Sequence, residues 1–153
     1  MIKILDLSYS ENIEKKVKKT TIELVKPDLN LKSEDGWVGF NIRWSINDEN
    51  MRATQGTLGY VFFPPKSEHK MHIHDYAEEF IIYLSGCRVR VMGNEEYKVG
   101  PRDVAFVPRV VPYGLKSADP HDPMTLWCFY AGVSNVSKTR YRLVVENKNG
   151  KGR

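Results

Sequence analysis

The feature of this sequence that most constrains its fold is the repeated alternation of apolar and polar residues. The clearest case is residues 40–46, in which Ile42, Trp44 and Ile46 alternate with polar side chains. A period of two is typical of a β-strand with one buried face, because successive side chains point to opposite sides of the strand. Glycine, proline and asparagine clusters separate such segments at short intervals, as turns do.

The same pattern predicts further strands at residues 20–25, 57–63, 79–84, 87–91, 95–99, 104–107, 126–130 and 141–145. Gly93 and Asn94 are expected to form the turn of a hairpin between the fourth and fifth of these. A short helix is expected around residues 11–18. Many short strands with almost no helix favour an all-β single domain, built as a sandwich or barrel of antiparallel strands.

The segment at residues 79–84 is apolar on both faces. Ile81 and Tyr83 would lie on one side, and Phe80 and Ile82 on the other. A strand that is covered on both faces needs a second layer, which is either another sheet or a partner subunit. This segment therefore contributes to the expectation of a homodimer.

Composition and charge exclude several classes of protein. The chain has 153 residues with a net charge of +4, and much of the basic charge is near its two ends. This distribution indicates a solvated surface rather than a nucleic-acid-binding face. No apolar stretch is long enough for a membrane span or a signal peptide, so we expect no membrane partner and a cytoplasmic location. Cys87 and Cys128 lie in apolar segments and are expected to be buried, reduced thiols.

A metal site is indicated by His72 and His74, which would project from the same face of a strand. Glu79 follows at an odd offset, so residues 75–78 must form a turn or bulge if its carboxylate is to join them. Two imidazoles and one carboxylate suit a divalent transition metal ion such as Fe, Mn, Zn, Ni or Co, and leave coordination positions open. The alternative is a pair of surface histidines on an edge strand.

These residues resemble the first motif of the cupin superfamily, in the form His72-x-His74-x4-Glu79-x6-Gly86. The later segment Gly100-x2-Asp103-x4-Pro108 resembles the opening of the second motif, and the resemblance covers about residues 56–130. It implies a small single-domain cupin of the cupin-2 type. Such proteins are antiparallel jelly-roll β-barrels (double-stranded β-helices), frequently dimeric, with a metal held by three histidines and one glutamate.

The resemblance places His72, His74 and Glu79 on three ligand positions, whereas Tyr113 occupies the position of the fourth, a histidine in the family. Tyr113 is therefore a phenolate ligand, an unligated hydrogen-bond donor or acid beside the ion, or part of a metal-free site. His121 is a less favoured replacement ligand, because its turn is rich in proline and aspartate. His69 is expected in a loop, outside the group of ligands.

Several other residues are candidates for contacts with a substrate. Arg43, Arg88 and Arg90 either lie on an outer, solvated face or form a clamp for a carboxylate or phosphate. The sequence does not decide which face is inward. The tryptophans Trp37, Trp44 and Trp127 are expected in the core, where one of them could line a pocket. The candidates for substrate contact are Trp44, Arg43 and Arg88.

We predict that the chain consists of an N-terminal extension with strands that join the barrel (1–35), the cupin barrel (36–134), and a C-terminal strand with a polar tail (135–153). The leading hypothesis is a metal-dependent enzyme that acts on a chelating small molecule. It would be an oxidoreductase of the dioxygenase type or a metal-assisted isomerase or lyase, with Tyr113 transferring a proton. The alternatives are a binding or sensor cupin without catalysis, and a metal-free sugar-processing cupin that uses His72 or Tyr113 as acid or base.

Overall fold

The computed structural model describes residues 17–116 and 121–145. These residues form eleven β-strands, one short helix and three 3₁₀ turns. The strands are β1 (Trp37–Val38), β2 (Asn41–Ile46), β3 (Gly56–Phe63), β4 (Glu68–His74), β5 (Glu78–Ser85), β6 (Arg88–Met92), β7 (Glu95–Val99), β8 (Val104–Val107), β9 (Tyr113–Lys116), β10 (Met124–Ala131) and β11 (Tyr141–Leu143). The helix α1 is Asp48–Met51, and the 3₁₀ turns are Ile22–Leu24, Ser33–Asp35 and Val136–Lys138.

The strands form two antiparallel sheets. One has the order β1-β4-β9-β6-β7, with β11 also paired to β4, and the other has the order β2-β3-β10-β5-β8. Non-consecutive neighbours within each sheet and antiparallel pairing are the features of a jelly roll. The fold class is therefore the antiparallel cupin-like β-barrel that the resemblance implied, in a single domain.

Both sheets contribute one face to a common core. Alternate residues of the strands are buried, as in Ile81 and Tyr83 of β5 or Leu126 and Cys128 of β10. Successive residues in the period-two segments of the sequence therefore face the inside and the outside of the barrel in turn. Trp37 and Trp44 are in the core as predicted, whereas Trp127 is half-buried on the outer face, where it packs against Tyr60.

Most of the predicted strands are present, including the hairpin in which Met92 pairs with Glu95. The predicted strand at residues 20–25 is wrong. Its backbone forms a 3₁₀ turn, in which the Leu24 and Val25 amides bond to carbonyls three residues back. In the described residues 17–36 there is no strand that joins the barrel. The predicted helix falls mostly on residues 11–16 and the polar tail on residues 146–153, both outside the described ranges.

The second apolar face of β5 is not covered by any of the described residues, since Phe80, Ile82 and Leu84 are exposed on the outside of the barrel. One burial prediction needs correction. Cys128 is buried, but Cys87 is exposed because it lies in the short connection between β5 and β6 rather than inside a strand. Among the described residues, no helix is long and apolar enough to cross a membrane.

Candidate metal centre

Strand β4 turns three histidines toward the barrel interior. His72 and His74 share a face because they are two residues apart. His69 is an odd number of residues from them, but the pairing of β4 with β9 shifts register between His69 and His72, and the His69 side chain is also buried. Its ring stacks on that of His72 with centroids 3.7 Å apart. The prediction that His69 lies in a loop is therefore wrong, although it stays outside the group of candidate ligands.

The connection between β4 and β5 brings Glu79 to the same point. β4 ends at His74 and β5 begins at Glu78, so residues 75–77 form the turn that the odd spacing required. One ligand atom from each of His72, His74 and Glu79 lies within 4.8 Å of the others, and all three side chains are buried. The three candidate ligands converge as the sequence predicted.

Hydrogen bonds settle which ring nitrogen of each histidine carries the proton. Nδ1 of His72 lies 2.7 Å from the Lys70 carbonyl oxygen, which can only accept. Nδ1 of His74 lies 2.6 Å from Oγ1 of Thr139, and that hydroxyl donates its own proton to the Val136 carbonyl at 2.8 Å. Both Nδ1 atoms are therefore donors, and both Nε2 atoms carry a lone pair.

Those two Nε2 atoms are buried and have no hydrogen-bond partner among the residues that the structure describes. A buried lone pair without a partner is costly, and metal ligation is a standard way to satisfy it. Burial lowers the pKa of His72 well below its usual value and that of His74 to about 4, so both rings are neutral near pH 7. Neutral imidazoles and a neighbouring carboxylate fit a divalent transition metal.

Glu79 is surrounded by groups that control its charge. Burial raises the pKa of its carboxyl, whereas the positive charge of Arg90 and hydrogen bonds from Tyr113 and Tyr130 oppose that rise. Tyr130 lies directly opposite Glu79 in the pairing of β10 with β5. The site therefore joins strands of both sheets through one carboxylate.

Tyr113 is part of strand β9, although the proline and glycine on either side of it are typical of a turn. It lies opposite His72 in the β4–β9 pairing, and its hydroxyl donates to Oε2 of Glu79. Burial, followed by the charge of Glu79, raises the pKa of this phenol well above 10. Gly114 permits the close approach of the two strands, because a Cβ there would lie 2.8 Å from the His69 carbonyl oxygen.

The arginines of β6 both point inward, but only one reaches the site. Arg88 is fully buried and donates through its Nη atoms to the carbonyls of Pro64, Ser67 and Asp122, so it ties loops together. Arg90 donates through Nε to Oη of Tyr83 at 2.8 Å and lies over the ring of Tyr113. Arg88, which was predicted to contact a substrate, therefore uses its Nη atoms for hydrogen bonds to loop carbonyls.

The other two predicted contacts, Arg43 and Trp44, lie away from the interior cavity. Arg43 is half-buried on the opposite side of β2 from the core and donates to the Val25 carbonyl. Trp44 is buried, and its Nε1 donates to Oδ2 of Asp28 at 3.0 Å. His121 is exposed in a turn, outside the group of converging ligands.

The interior cavity beside Glu79 has a volume of about 20 Å³. This is enough for one or two waters or an ion, but not for a large ligand. Its polar lining consists of His69, Glu79, Arg90 and Tyr130, and the rest is mostly apolar. The sequence did not single out Tyr130, because an isolated tyrosine in an apolar strand is usually a core residue.

Comparisons with known proteins find similar sequences. Residues 59–130 match the family model described as the Cupin domain. An uncharacterised protein of Methanocaldococcus jannaschii is 24% identical over 123 residues, which are 80% of this chain and 94% of that protein.

Solved structures share the fold at low sequence identity. The polyketide cyclase RemF of Streptomyces resistomycificus has a TM-score of 0.72 and 20% identity, with 87% of this chain and 89% of that chain covered. The nucleoside dehydratase Pac13 of Streptomyces has a TM-score of 0.64 and 15% identity, with 84% and 92% covered. Residues 59–130 of this chain therefore match the Cupin domain, and the fold of the chain is that of cupin-like proteins.

Proposed function

We propose that this protein is a metal-dependent enzyme acting on a small chelating molecule, with His72, His74 and Glu79 as the ligands of one divalent transition metal ion. The observation that carries the proposal is that two buried Nε2 lone pairs have no partner among the described residues, at the point where His72, His74 and Glu79 converge. Such an ion would supply Lewis acidity there, and a redox-active metal would also permit oxygen chemistry.

The residues around the ligands have defined tasks in this proposal. The Lys70 carbonyl and Thr139 hydroxyl hold the two imidazoles in the ligating tautomer. The Tyr113 hydroxyl donates to Oε2 of Glu79, and in this proposal it serves as a proton donor at Oη beside the ion. The apolar barrel excludes water, which strengthens each electrostatic contact with a bound substrate.

The reaction class stays open between an oxygenase and a metal-assisted isomerase or lyase. The two similar enzymes, a polyketide cyclase and a nucleoside dehydratase, are named for ring closure and for loss of water. Their names, together with the protonated phenol beside Glu79, favour the isomerase or lyase alternative. A cytoplasmic location and a homodimeric state remain predictions.

Elemental analysis of protein purified without chelators tests the metal. We expect about one transition metal ion per chain in the wild type and in His121→Ala, which alters an exposed histidine. His72→Ala and Glu79→Ala should lose it while retaining the wild-type circular dichroism spectrum. A wild-type protein without metal, or full metal content in both variants, would refute the proposal. Oxygen uptake with a panel of chelating substrates then separates an oxygenase from an isomerase or lyase.

A further inference from the structure

Arg90 is a buried cation with unused hydrogen-bond donors. Its side chain is 3% exposed, and its Nε is bonded to Oη of Tyr83. Neither of its Nη atoms makes a hydrogen bond to any residue that the structure describes. Arg88, two residues earlier on the same face of β6, uses both of its Nη atoms on loop carbonyls. The two arginines therefore differ in role, because the Nη atoms of Arg88 are bonded to loop carbonyls, whereas those of Arg90 are available to a ligand.

Arg90 lies beside one of the candidate metal ligands. Arg90 and Glu79 line the same interior cavity. The guanidinium carbon lies 5.9 Å from the ring centroid of Tyr113, whose hydroxyl is bonded to Glu79. A guanidinium presents paired N–H groups whose geometry matches a carboxylate.

The charges of the interior also require an anion. Arg90 and Glu79 balance each other when both are charged. A divalent ion held by His72, His74 and Glu79 adds two positive charges to this interior. Uncompensated charge in an apolar interior is strongly unfavourable. Metal loading therefore makes this cavity a site for a negatively charged ligand.

We propose that Arg90 is the anion-binding residue of this site and that the substrate is a small carboxylate whose carboxylate group pairs with the Arg90 guanidinium. The inference rests on the proposed metal-dependent function. The cavity volume of about 20 Å³ favours a ligand of few heavy atoms, and a larger one requires movement of the aromatic lining.

Formate and formamide test the inference because they have the same number of heavy atoms and differ in charge. Each would be titrated into Co²⁺-loaded protein, and the visible absorbance of the cobalt would report ligand entry. We expect formate to bind wild-type protein and Arg52→Met, an exposed-arginine control, with the same affinity, and formamide to bind much more weakly. Arg90→Met should weaken formate binding about 10- to 100-fold, the range for loss of a charge-assisted pair.

Cobalt content is measured in every variant, so the two proposals fail separately. Arg90→Lys keeps the charge but not the paired donors, and it carries the test if Arg90→Met does not fold; its formate affinity should fall several-fold. Equal formate affinity in wild type and Arg90 variants that hold one cobalt per chain would overturn the role of Arg90 and leave the metal proposal intact. A wild-type protein that binds no cobalt would overturn both.

Discussion

Thr139 is the residue that decides which nitrogen of His74 faces the barrel interior. It is fully buried, 65 positions from His74 in sequence, and its Oγ1 accepts the Nδ1 proton at 2.6 Å. Residues that hold a metal-ligating histidine in this way typically change metal affinity about 10- to 100-fold when removed. Thr139 thus links the C-terminal segment to the candidate metal centre.

We expect Thr139→Val to weaken metal binding by about 10- to 100-fold, because valine keeps the shape but cannot accept the Nδ1 proton. Thr139→Ser keeps the hydroxyl and should retain wild-type affinity. Competition with a chromophoric chelator measures both constants. Equal metal affinity in Thr139→Val and wild type would show that this hydroxyl does not position His74.

The sequence predicted the three candidate ligands because their spacing is local. His72 and His74 share a face by strand geometry, and the turn before Glu79 follows from parity. His69, Arg90 and Tyr130 could not be assigned to the interior in this way. Their positions depend on a register shift and on which face of β6 and β10 is inward, and both are set by pairing with distant strands.

Strands could also be predicted where neighbouring residues determine them, but not where pairing with distant strands does. The hairpin of β6 and β7 was predicted, because its turn residues are adjacent. β9 was missed because Pro112 and Gly114 indicate a turn, whereas its pairing with β4 and β6 holds the segment extended. Residues 20–25 have strand-like composition, but among the described residues they pair with no strand.

Gly86 follows β5 in a backbone conformation that residues with a side chain rarely adopt. It has a φ of +78°, and a Cβ there would lie 2.1 Å from the Pro123 carbonyl oxygen. Gly132 has a nearly identical φ of +80°, but a Cβ there would meet nothing within 4 Å. At either position the positive φ would strain a residue that carries a side chain. Only at Gly86 would the added Cβ also overlap a neighbouring atom.

Gly86→Ala should lower the free energy of unfolding more than Gly132→Ala does. The positive φ costs about 1 kcal/mol or more at either site, and the overlap at Gly86 adds about 1–3 kcal/mol. Urea denaturation of both variants measures the difference. Equal destabilisation of the two variants would contradict this prediction. It would mean that residues 85–88 and the Pro123 loop move apart to relieve the overlap at no cost in free energy.

Asp48 connects α1 by hydrogen bonds to the segment that follows β10. Its carboxylate accepts hydrogen bonds from Lys138 at 2.7 Å, Ser134 at 2.9 Å and Asn135 at 2.9 Å. These partners hold the pKa of Asp48 well below its usual value, with the bond from Lys138 as the largest cause. A depressed pKa in the folded state means that the ionised carboxylate stabilises the fold.

This stabilisation should be complete above about pH 4, the usual pKa of an aspartate, and should decline as the pH falls below it. Asp48→Asn should therefore lower the melting temperature at pH 7, and the difference from wild type should shrink below pH 4. Glu49→Gln, on the same helix with one 3.2 Å contact to Asn135, should cost less. A difference for Asp48→Asn that does not change with pH would contradict the assignment.

At the scale of the whole molecule, the outer face of the sheet β2-β3-β10-β5-β8 carries a surface that suits a second copy of this chain. Phe80, Phe106 and Phe129 form a cluster there, with ring centroids of Phe80 lying 5.3 Å and 6.1 Å from the other two. Ile82 and Val104 extend it, and all five are exposed in the single chain. Apolar patches of this kind mark interfaces.

The size of this face is adequate for a stable dimer. Five strands spaced about 4.8 Å apart, with strands of up to about eight residues, span roughly 600 Å². Standard interfaces bury about 600–1,000 Å² on each partner, so this face reaches the lower end of that range. An isologous contact would stack the phenylalanine cluster of one copy on that of the other, which would cover the second apolar face of β5.

Phe106→Glu should therefore convert a dimer to a monomer, whereas Tyr97→Glu, an exposed aromatic on the other sheet, should leave it dimeric. Because a two-fold interface contains each substitution twice, losing about 1–2 kcal/mol of apolar burial per copy weakens dimerisation by roughly 30- to 1,000-fold. Sedimentation velocity at micromolar concentration distinguishes the states. A wild-type protein that sediments as a monomer at that concentration would leave the patch exposed and exclude the dimer.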